Sequence, residues 1–68
     1  MSYIILFDIP RNMGYLQVKI NRLLHSINAQ LIQHSVWESE DLNVLKQVSN
    51  LIKEGGGKAI ILEKKIVE

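Results

Sequence analysis

Few side chains in this sequence have the chemistry of a catalyst, and they are scattered. Asp8 ends the apolar run Tyr3-Ile4-Ile5-Leu6-Phe7 and stands two residues before Pro10. One use for a carboxylate there is a turn, since an Asp near proline can accept hydrogen bonds from neighbouring backbone amides. The other use is a hard cation. Mg²⁺ binds through one or two carboxylates together with waters and phosphate oxygens. Asp8 would then be a metal ligand, with a two-fold dimer supplying a second copy. The turn is the stronger expectation, because one carboxylate per chain is a poor ligand set.

The remaining candidates exclude more than they suggest. His25 and His34 do not stand at a metal-ligand spacing from each other. His25 is expected to face solvent, and His34 to lie on a strand surface or an interface. Ser35 has no base beside it in sequence, so no hydrolytic triad is identified. Gly55-Gly56-Gly57 follows a helical pattern instead of opening one, and Pro10 occupies the place where a phosphate loop needs amides. There is no cysteine, which rules out disulfides and thiolate metal sites. Arg11, Lys19 and Arg22 are on or near the first helical segment and could contact phosphates. Such contacts would give weak, salt-sensitive binding of DNA or RNA. The net charge of +1 adds nothing to that, and beyond Trp37 acids and bases are mixed.

The elements that must position these residues follow from periodicity. Tyr3 to Ile9 is apolar on both parities and reads as a central strand covered on at least one side. Pro10 ends it, and Asn12 is a plausible helix cap. From Met13 to Ile27 the period becomes helical, with Leu16, Ile20, Leu23, Leu24 and Ile27 in one stripe. Asn28 can take the left-handed conformation that closes a helix. Ala29 to Glu38 is extended, bent near His34 into two short strands or running as one. A second helix carries Val44, Leu45, Val48, Leu51 and Ile52 in its stripe. Ser39 is expected to cap it, with Glu40 and Asp41 in its first turn, and the three glycines stop it. Lys58 to Glu63 is a further strand, and residues 64–68 are an edge strand or a flexible tail.

The order β-α-β-β-α-β on 68 residues makes one α+β domain, a ferredoxin-like sandwich with a contracted pair of second and third strands. A hydrophobic content of 47% is generous for so small a body. Self-association would cover the excess, with Ile66 and Val67 expected at a homodimer interface formed by edge pairing. The apolar start is far too short to span a bilayer and has no basic segment ahead of it. A soluble, cytoplasmic protein without a membrane partner is expected.

The residues also resemble a family. Phe7-Asp8-Ile9 at the end of the first strand, a helix containing Lys19, and then Gln33, Ser35, Val36, Trp37 and Glu38 resemble the CRISPR-associated protein 2 family. Its superfamily includes VapD-type toxin ribonucleases and a domain of PaaX-type repressors. The resemblance implies a ferredoxin-like homodimer that bridges integrase subunits during spacer acquisition, as a structural and nucleic-acid-associated part. It also implies an alternative activity, a Mg²⁺-dependent endonuclease using the aspartate at Asp8. A third reading is a non-catalytic interaction or regulatory domain of the same fold. Members of the family usually carry several basic residues after the first strand, whereas Arg11 alone stands before Asn12 here. Weak or absent nuclease activity is therefore the expectation.

Overall fold

The computed structural model describes residues 1–67. The elements are β1 (Tyr3–Asp8), α1 (Gly14–Ser26), β2 (Gln30–Gln33), β3 (Val36–Ser39), α2 (Leu42–Glu54) and β4 (Lys58–Glu63). The four strands form one antiparallel sheet in the order β2-β3-β1-β4. In each helical crossover a strand lies between the two strands that the helix joins. β3 separates β1 from β2, and β1 separates β3 from β4. This is the split β-α-β arrangement of a ferredoxin-like fold. The central place expected for the first strand is the place β1 holds.

Both helices cover one face of the sheet. The strand period of two sends Ile5 and Phe7 of β1 and Trp37 of β3 to that face. There they join Leu16, Ile20 and Leu24 of α1 and Leu45, Val48 and Ile52 of α2 in a single core. Ile5, Ile20, Leu24, Leu45, Val48 and Ile52 are fully buried. All six helix positions are those of the two apolar stripes, so the 3.6-residue period located the core correctly.

The ends of the elements differ from expectation in three places. The cap of α1 is Met13, not Asn12, and no side chain bonds to its free amides. The cap of α2 is Asp41, whose carboxylate accepts a hydrogen bond from the Val44 N–H at 3.1 Å. Ser39 is instead the last residue of β3, buried, with its Oγ accepting from the Asp41 N–H at 3.0 Å. Glu40 and Asp41 therefore precede the helix, and its first turn holds no acid. The strand period wins at Ser39 because Trp37 and Ser39 share the covered face. Ala29 to Glu38 does bend into two strands, at His34-Ser35, where Ser35 takes a φ of 60°. Asn28 is left-handed at φ 56°, as its type suggested.

Gly57 is required by close approach. A Cβ there would collide with the Asp8 carbonyl oxygen and the Ile52 side chain. The glycine thus lets the end of α2 pass tightly against the end of β1, where β4 begins.

Candidate functional site

Asp8 shares its parity with Ile4 and Leu6, so β1 delivers it to the face of the sheet away from the helices. It is exposed, and its partner across the ladder is Lys58 of β4. Among the described residues none donates a hydrogen bond to its carboxylate. The expectation that the Asp8 side chain organises the turn is therefore corrected. A backbone bond holds that turn, the Met13 N–H donating to the Pro10 carbonyl at 3.0 Å, while Ile9 and Met13 pack against the core. Asp8 points away because the extended conformation of β1 persists through residue 8 and fixes its face.

Among the described residues, no three of His, Cys, Asp and Glu come together. The cross-strand neighbour of Asp8 is itself a cation. One chain does not provide a ligand set for a Mg²⁺ ion among its described residues.

The cations divide. Lys19 and Arg22 are exposed on α1 and border one shallow groove with Tyr15, Val18, Leu23 and Ser26. Arg11 is exposed in the turn after β1 and takes no part in that groove. Lys19 and Arg22 belong to the helix layer, whereas Asp8 belongs to the opposite sheet face. The fold does not bring the carboxylate and this pair of cations onto one surface. His25 faces solvent, as its place outside the apolar stripe suggested. Its ring also meets the buried Trp37 edge-on, with centroids 5.5 Å apart.

The sheet face that carries Asp8 also carries an apolar patch. Two rows of side chains cross it. Val36, Leu6 and Ile60 form one row; Glu38, Ile4 and Leu62 form the next. Leu6, Ile60 and Leu62 are exposed at 36, 61 and 51%. Ile4 and Val36 are half-buried. Charges frame the patch at both ends. Asp8 and Lys58 close one end, and the ion pair of Lys64 with Glu38, at 2.9 Å, closes the other. The signal was present in the sequence. The runs Ile4-Ile5-Leu6-Phe7 and Ala59-Ile60-Ile61-Leu62 are apolar on both parities, which demands a cover on both faces.

The tail lies beside this patch. The Lys64 N–H donates to the Ser2 carbonyl at 2.8 Å, continuing the pairing of β1 with β4 by one step. Ile66 and Val67 follow, 81 and 93% exposed and outside any strand. The edge strand considered for residues 64–68 is thus not formed by residues 64–67, and Glu68 lies outside the described residues. No helix among the described residues is long and apolar enough to cross a membrane.

No family model and no curated protein matches the chain.

Proposed function

We propose that the chain acts as a homodimeric, structural and nucleic-acid-associated subunit of the CRISPR-associated protein 2 kind, placed between integrase subunits during spacer acquisition. The observation that carries the dimer is the uncovered apolar sheet face of Leu6, Ile60 and Leu62. A second copy suits it because each end of the patch holds one acid and one base. A copy set with acid against base at each end meets opposite charges. Magnitudes bear on how the dimer closes. Covering half of a Leu or Ile side chain gains about 1 kcal/mol. Association costs about 4–15 kcal/mol. Three such side chains per copy make a marginal interface by themselves, so Ile66 and Val67 are the decisive addition, by pairing at the partner's sheet edge. The motif around Asp8 and the ferredoxin-like topology support the family. Within one chain Asp8 has a cation across the ladder and, among the described residues, no cluster of further ligands, which favours a structural role over an endonuclease.

Sedimentation velocity at micromolar concentration, with and without a short DNA duplex, tests this reading. A dimer that binds duplex in a salt-sensitive way is the expected result. A clean monomer, or a dimer indifferent to duplex at low salt, would contradict it.

A further inference from the structure

The groove on α1 is not explained by a dimer through the sheet, because it is part of the opposite layer. Tyr15 is 71% exposed and Val18 is 50% exposed, both without cover from the described residues. Lys19 and Arg22 follow at four and seven residues from Tyr15, which puts all three along one side of the helix. α1 contains no Asp or Glu. Its first turn has no side-chain cap and no acid, so nothing in that turn offsets the positive end of the helix dipole beside Tyr15. An aromatic ring open to solvent in a row with two cations is the combination that holds a single strand. The ring takes the flat face of a base, and the cations take the phosphates.

We infer that the outer face of α1 binds unpaired nucleic acid, with Tyr15 as the stacking platform and Lys19 and Arg22 as the phosphate contacts. This rests on the nucleic-acid association proposed above and adds the strandedness of the ligand. A duplex keeps the faces of its bases stacked inside and offers Tyr15 no partner. It would engage Lys19 and Arg22 alone. A strand end or an unpaired overhang engages all three residues.

The test compares a short oligothymidylate with a duplex of equal length by fluorescence anisotropy at low salt. Tyr15→Ala should weaken the single strand about tenfold or more and leave the duplex unchanged. Tyr15→Phe should keep most of the single-strand affinity, because stacking needs the ring and not the hydroxyl. Changing Lys19 and Arg22 together to Gln should weaken both ligands. Duplex binding with single-strand affinity indifferent to Tyr15 overturns this inference and leaves the dimer reading intact. Tyr15-dependent single-strand binding with no duplex binding does the reverse. A polyglutamate peptide that loses affinity equally on Tyr15→Ala would assign the face to acidic protein segments and overturn the inference. Absence of binding to either nucleic acid overturns both readings.

Discussion

Ile5 and Leu6 are neighbours in sequence, similar in size and in the same central strand, yet Ile5 is fully buried and Leu6 is 36% exposed. The same contrast recurs on β4, where Ile61 packs against the core while Ile60 and Leu62 stand in solvent. The strand period of two separates them, and both helices lie on one side. Burial on the covered face is intramolecular and holds at any concentration. Burial on the open face needs another molecule, so it follows mass action. The difference shows how a chain with ample apolar content can still have a small intrinsic margin.

Substitutions at three positions sharpen the contrast. The largest effect belongs to the covered face. Ile20→Ala removes a fully buried side chain and should cost about 2–5 kcal/mol in chemical denaturation. A loss under about 0.5 kcal/mol, a size typical of surface sites, would erase the distinction between the faces. Next is the start of α2, one of the two helices that cover the core. Asp41→Ala deletes the side-chain acceptor of the Val44 N–H and should lower stability by about 1 kcal/mol. Asp41→Asn keeps an acceptor and should recover most of it. The smallest effect is on the open face. Glu38→Gln breaks the ion pair with Lys64, and in dilute, monomeric protein it should cost about 0.2–1 kcal/mol. Added salt should shrink that difference, and a salt-independent loss would point to packing instead.

The helices and their buried stripes were legible because each used a single unambiguous period. Leu16, Ile20 and Leu24, and Leu45, Val48 and Ile52, repeat at helical spacing, and all are buried. The caps were less legible. Asn12 and Ser39 are good cap types, but Ser39 still belongs to the strand because its alternation continues one residue beyond Glu38. Asp41 has the charge that suits a helix dipole, and the structure uses it as the cap. The direction of Asp8 depended on which face the helices chose, and parity alone does not tell that. The open face was encoded in the double-parity apolar runs, but a run of this kind states only that two covers are needed. It does not say that one of them must come from outside the chain. His25 against Trp37 is a contact between separate elements, beyond the reach of local pattern.

The central claim is that the open face of the sheet joins two copies. Lys at both Ile60 and Leu62 puts charge into the middle of that face without touching the covered core. The measurement is sedimentation velocity of the Ile60→Lys, Leu62→Lys double variant beside the unaltered protein at the same micromolar concentration. Circular dichroism would confirm that both are folded. The account predicts a dimer for the unaltered chain and a folded monomer for the variant. A variant that remains dimeric would place the interface elsewhere and contradict the claim.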